Sequence, residues 1–167
     1  YNDEKVIARQ GTAAKDLLEK VVNLDIIIAP VSGGGLLAGT SLLAKSINPN
    51  IKVYGAEPKN ADDTYRSIKN KKIVPNKTTE TIADGLRAQV GTITFPIIQK
   101  NVDGIILVSE EMIIQSMRTI WQRMKIIIEP SCSIALAAIL INNERFHNKR
   151  IGIILTGGNV DLDSLPW

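Results

Sequence analysis

The chain has 167 residues, 44% of them hydrophobic and 22% charged, with a formal net charge of +3, a balance that suits one compact domain and excludes disordered and collagen-like chains. Its basic residues are scattered, and the densest group, Lys69, Lys71 and Lys72, has no interleaved aromatics, so no nucleic-acid partner is expected. The single cysteine, Cys132, excludes an intrachain disulfide and suits a reducing, cytoplasmic setting, while no apolar run reaches the ~18 residues a membrane-spanning helix needs.

The opening residues, YNDEKVIARQGT, carry no initiator methionine and no signal-peptide pattern, and they read as the middle of a longer protein. From Thr12 to Val22, Ala14, Leu17, Leu18, Val21 and Val22 recur at helical spacing, with Thr12 as the expected N-cap. DIIIAPV then runs apolar without alternation, which predicts a strand buried on both faces. A helix is expected over LLAGTSLLAKSI, ending at Asn48-Pro49, and a second buried strand over IKVYGAEP. ADDTYRSIKN reads as helical, residues 71–85 as a long functional loop, and VDGIILVS as a third strand. In EEMIIQSMRTIWQRM, Ile113, Met117, Ile120, Trp121 and Met124 share one helical face, and Glu110 and Glu111 sit where the helix dipole favours acids. PSCSIALAAILINNE predicts another helix, and RIGIILTGGN a last strand with a second glycine turn. Strands alternating with helices imply an α/β fold of three layers, a mostly parallel sheet with helices on both faces.

Between the first strand and its helix stand three successive glycines, Gly33, Gly34 and Gly35, in VSGGGLLAG. In a parallel sheet ligands sit beyond the carboxyl ends of the strands, where a starting helix points free N–H groups at them. Bare backbone there can close on an anion, and Ser32 could add a hydroxyl donor. The spacing matches neither G-x-G-x-x-G nor a P-loop, so a small phosphorylated cofactor is preferred over a nucleotide. The alternative is that the glycines only permit tight strand-to-helix packing. Thr156, just past the last strand, should open on the same face, as a helix cap or facing a ring nitrogen.

Taken together, VSGGGLLAG, AEPKNADD, TIADGL, IEPS and LTGGNVDL stand in the order and spacing of one known family. The chain resembles the C-terminal half of serine racemase and the related serine/threonine dehydratases, fold-type II enzymes dependent on pyridoxal 5'-phosphate. The resemblance covers nearly the whole chain. It implies that residues 1–167 form most of the large cofactor-binding domain, and that the lysine carrying the cofactor and the small domain belong to sequence outside it. It assigns Ser32, Gly33, Gly34, Gly35 and Leu36 to a phosphate cup, Thr156 to the pyridine nitrogen, Gly85 to close approach beside the ring, and Glu129 to a place near it. A neutral hydroxyl at that nitrogen makes the ring a weaker electron sink than an aspartate would, which suits elimination or rapid reprotonation.

By the same resemblance Glu57, the Ala61 carbonyl and Asp63 would hold Mg²⁺, or Ca²⁺ or Mn²⁺, through hard oxygen ligands; taken alone, Asp62 and Asp63 are simply acids early in a helix. Asn159 would lie near an ATP effector site at the interface of a homodimer. The expected activity is conversion of L-serine to D-serine, or to pyruvate and ammonia. The alternatives are a threonine dehydratase or a non-catalytic, nucleotide-responsive module on the same scaffold. Where the family has a glycine before QGT this chain has Arg9, which raises the question of backbone conformation there. Cys132 and Ser133 stand where the family has small residues; Cys132 taken alone reads as a packed core thiol, and His147 is given no role.

Overall fold

Ile26, Ile27 and Ile28 follow one another without a polar break, so the strand they form must be covered on both faces. The computed structural model, which describes residues 1–167, satisfies that demand. Strand β1 (Ile26–Pro30) is buried along its whole length. It pairs in parallel with β2 (Lys52–Pro58) on one side and β4 (Ile151–Ile153) on the other, and β3 (Gly104–Val108) adds to β2, giving the order β3-β2-β1-β4. Ile28 lies opposite both Tyr54 and Ile153 in this register.

The pleat sorts the apolar residues into two layers. Ile26, Ile28, Tyr54, Ala56, Ile106 and Val108 face one way, onto Ile113 of α6 (Glu110–Met124) and Ile134, Ala135 and Ala138 of α7 (Pro130–Leu140). Ile27, Ala29 and Val53 face the other, onto Leu37, Ala38 and Ala44 of α3 (Gly35–Ile47) and Phe95 and Ile98 of α5 (Thr94–Asn101). Helices α1 (Glu4–Gln10) and α2 (Thr12–Lys20) lie against α3, and α4 (Asp63–Asn70) follows β2. The expected three-layer parallel architecture is present.

Two helices lie outside the expected set. In α1 only Ile7 is buried, too little for a visible apolar stripe, and the helix is started by Asp3, whose carboxylate accepts the amides of Lys5 (2.9 Å) and Val6 (3.1 Å). In α5, Pro96 falls in the first turn, where its missing N–H costs nothing. Arg9 lies inside α1 and is not among the residues with positive φ, so glycine is not required there. Gly11, rather than Thr12, is the N-cap of α2, and the Thr12 hydroxyl donates to the Arg9 carbonyl (2.7 Å). Met124 is 57% exposed, so the buried face of α6 ends at Ile120, with Trp121 half-buried and donating to the Ile128 carbonyl (2.9 Å). Helix α7 stops at Leu140, short of the expected Glu144.

Candidate functional site

After β1 the Val31 amide still reaches the Ala56 carbonyl (2.9 Å), and then the pairing stops. Gly34 takes φ +91° to turn the chain into α3, and a Cβ there would lie 2.7 Å from Ile98 Cδ1 and 2.8 Å from Thr94 Oγ1. Conformation and space both demand glycine. The first amide of this region to find an acceptor is that of Ala38, which reaches the Gly34 carbonyl (2.8 Å); those of residues 32–37 have no protein acceptor, and no side chain caps α3. Gly33, Gly34 and Gly35 are nonetheless buried. A row of sheltered, unpaired donors at the positive end of a 13-residue helix fits an anion such as phosphate.

The loop is held from behind. The Gly33 carbonyl accepts the Gly91 amide (3.1 Å) and the Thr94 hydroxyl (2.7 Å). Ser32 departs from expectation: its hydroxyl donates to the Ala88 carbonyl (3.0 Å) and accepts the Ala88 amide (2.9 Å), so it staples the loop to residues 86–91 and is not free as a donor. Ser32 therefore offers a ligand only its backbone amide.

Ser32, Gly33, Gly34, Gly35, Leu36, Gly85, Glu129 and Thr156 all line one cleft of about 390 Å³ at the carboxyl end of the sheet. No lysine is among its lining residues. The Gly85 amide is shared between Ser131 Oγ (2.9 Å) and Asp84 Oδ1 (2.9 Å), and a Cβ on Gly85 would lie 3.0 Å from Ser131 Oγ. Glu129 is the N-cap of α7; its amide donates to the Gly157 carbonyl (3.1 Å) and its Oε2 accepts the Asn159 amide (3.0 Å). Asn159 is exposed and not part of the cleft lining. Thr156 is exposed to the cleft, and its amide donates to Cys132 Sγ (3.2 Å). Cys132 is fully buried with Met117, Ile120 and Ile128, as a packed thiol should be, and burial pushes its pKa up.

Two residues that sequence reasoning missed also line the cleft. Tyr1 lays its ring against Gly33 and its backbone and Cβ against Gly35, and Ser131 clasps Gly85. Tyr1 is aimed by its neighbours: Asn2 accepts the Ile93 amide (2.7 Å) and donates to the Thr92 hydroxyl (3.0 Å), and Asp3 caps α1. An Asn-Asp pair ahead of a helix was the available signal.

At the carboxyl end of β2 and the start of α4 lie two acids shut off from water. Glu57 is fully buried; its oxygens accept the amides of Thr64 and Tyr65 (both 2.9 Å), and burial pushes its pKa up to about 8. Asp63, 1% exposed, accepts the Val90 amide (2.7 Å) and is likewise raised by burial. Ala61 is buried between them in sequence, its amide on the Pro58 carbonyl (3.0 Å). Neither acid takes part in an ion pair. Two unpaired buried carboxylates form a donor set that a small dication fits, with each oxygen keeping a second lone pair. No three His, Cys, Asp or Glu side chains converge on one point, so a carbonyl and water would complete the shell.

Comparison with known proteins agrees with this geometry. The family described as pyridoxal-phosphate dependent enzyme matches residues 1–157. A serine racemase of Dictyostelium discoideum is 55% identical over 170 residues, covering 99% of this chain and 52% of that protein. A β-hydroxyaspartate dehydratase of Paracoccus denitrificans is 46% identical, covering 100% of this chain and 53% of that protein. The crystal structure of the Dictyostelium serine racemase superposes with a TM-score of 0.92 over 97% of this chain and 53% of its own. The chain thus spans about half the length of the curated relatives it matches.

Proposed function

The chain belongs to the pyridoxal-phosphate dependent enzyme family, and from that premise we propose that it forms most of the cofactor-holding domain of an enzyme converting L-serine to D-serine, or to pyruvate and ammonia. The observation that carries this reading is the meeting of the unpaired amides of residues 32–37 and the Thr156 hydroxyl in one cleft. Pyridoxal phosphate, when bound, supplies an electron sink that acidifies the α-proton of an amino acid. The amides of Ser32, Gly33, Gly34, Gly35 and Leu36 would grip its phosphate, and the helix dipole behind them would add to the grip. Thr156 would offer the ring nitrogen a neutral hydroxyl in place of an acid. Gly85, kept bare and pinned by Ser131, leaves room beside the ring, and Glu129 closes the same wall.

Glu57, the Ala61 carbonyl and Asp63 would hold a divalent cation, Mg²⁺ by preference, whose charge would offset the two buried acids. In the same reading the enzyme is a cytoplasmic homodimer, its buried free cysteine being compatible with a reducing compartment, and ATP acts as an effector near Asn159. The test uses the full-length polypeptide that carries this chain. Incubated with pyridoxal phosphate it should bind the cofactor stoichiometrically and release D-serine and pyruvate from L-serine. Release from hydroxyaspartate or threonine in place of serine would keep the cofactor site and change the substrate. A folded protein that binds no cofactor would end the reading.

A further inference from the structure

The last backbone bond of the β4 ladder runs from the Ile154 amide to the Ile28 carbonyl (3.1 Å), and beyond it the Thr156 amide has no backbone acceptor. The N-cap and first turn of α7 hold this segment instead: the Glu129 amide donates to the Gly157 carbonyl (3.1 Å), Glu129 Oε2 accepts the Asn159 amide (3.0 Å), and Cys132 Sγ accepts the Thr156 amide (3.2 Å). The sulfur cannot swing away, because Cys132 is fully buried among Met117, Ile120 and Ile128. We propose that Cys132 is a positioning residue: its sulfur, by taking the Thr156 amide, sets the direction in which the Thr156 hydroxyl meets the ring of a cofactor in the cleft. The proposal rests on the cleft being the cofactor site.

The chemistry of a thiol suits this task. A neutral Cys offers a weak acceptor and one S–H donor. Burial, and the Glu129 carboxylate from the start of the same helix, disfavour the thiolate, so the proton stays on sulfur, while the backbone amides of Gly157 and Thr156 act the other way on its lone pairs. With its amide fixed as donor to sulfur, the Thr156 backbone is held, and with it the direction in which the side chain leaves the end of the strand. The hydroxyl is thereby kept on the cleft side, where Thr156 is exposed. Removing the sulfur frees both the backbone at Thr156 and the direction of its hydroxyl.

The experiment compares the full-length polypeptide with Cys132→Ser, Cys132→Ala and Cys132→Val, each verified as folded by circular dichroism. It reads the absorption maximum and the Kd of bound pyridoxal 5'-phosphate, with inorganic phosphate as competitor. Cys132→Ser, which keeps a donor and acceptor in place, should match the parent in both. Cys132→Ala should shift the absorption maximum and weaken cofactor binding by about three- to tenfold, the loss of roughly one hydrogen bond. Cys132→Val, which keeps bulk without an acceptor, should follow the alanine variant and decides the matter should alanine fail to fold. Phosphate should compete equally well in all folded forms, because it meets only the amides of the glycine loop. An unchanged spectrum and Kd in the alanine and valine variants would overturn the proposal, as would a serine variant that behaves like alanine. A parent protein that binds neither cofactor nor phosphate would show instead that the cleft itself has been misread.

Discussion

The two ends of the sheet solve opposite problems. At the amino end, Asp103 accepts the Val53 amide and bonds Lys45 and Lys52, all at 2.9 Å, Lys45 also donates to the Ile51 carbonyl, and Asp25 accepts the Arg150 amide (2.8 Å). At the carboxyl end the amides of residues 32–37 have no protein partner, and the buried Glu57 and Asp63 have no base. Unsatisfied buried groups cost stability. The unpaired amides of residues 32–37 mark where a ligand group completes the structure, and the bonded opposite end holds the sheet in register.

The sharpest way to break that contrast is Gly34→Ala. At φ +91°, with Thr94 Oγ1 2.8 Å from the added carbon, the substitution should cost about 2–3 kcal/mol of stability by urea unfolding and lower cofactor affinity by about tenfold or more. Normal affinity would mean that the loop does not grip the phosphate.

Glu57 tests the acidic half of the same end. Its folded pKa of about 8 lies above the ordinary 4.5, so the folded state binds the proton more tightly. Its contribution to stability is complete below pH ~4.5 and is lost as pH rises towards 8. In metal-free buffer Tm should therefore fall as pH rises across that range. Glu57→Gln should flatten the slope, and Mg²⁺ should restore the parent most at the alkaline end. A parent Tm that ignores Mg²⁺ at pH 8 would remove the cation from the site.

The amino end should respond differently. Asp103→Asn should cost about 1–2 kcal/mol and leave cofactor Kd unchanged. Although burial alone would raise the Asp103 pKa, the Val53 amide and the two lysines bring it below 3.8. Its stabilisation is therefore present above that value and lost as pH falls through the depressed one. A change in cofactor affinity would show that the two ends are coupled. The smallest effect is expected away from both: Lys125 caps α6 in the left-handed region at φ 59°, and Lys125→Gly should stabilise by about 0.5–1 kcal/mol in thermal melts.

How much of this was legible in the sequence follows the range of the interactions. The unbroken DIIIAP run and the glycines behind it announce a doubly covered strand and an amide nest, because both depend on adjacent residues. Helix α6 was legible along its whole length, and of its expected apolar stripe only Met124 falls outside the core. The role of Ser32 was not legible, since its partner Ala88 lies 56 positions away and nothing local signals the bond. The Ser131 clasp on Gly85 spans 46 positions and was hidden for the same reason. Helix α1 escaped because one buried isoleucine makes no pattern.

The central claim is that main-chain donors at the tip of β1 hold a phosphate. It is tested most directly by amide proton and nitrogen NMR of the full-length polypeptide, titrated first with inorganic phosphate and then with pyridoxal 5'-phosphate. The account predicts that the amides of Gly33, Gly34, Gly35 and Leu36 move furthest downfield with both ligands, and that Thr156 responds only to the second. Shifts confined to other segments, with those four amides unmoved, would contradict it.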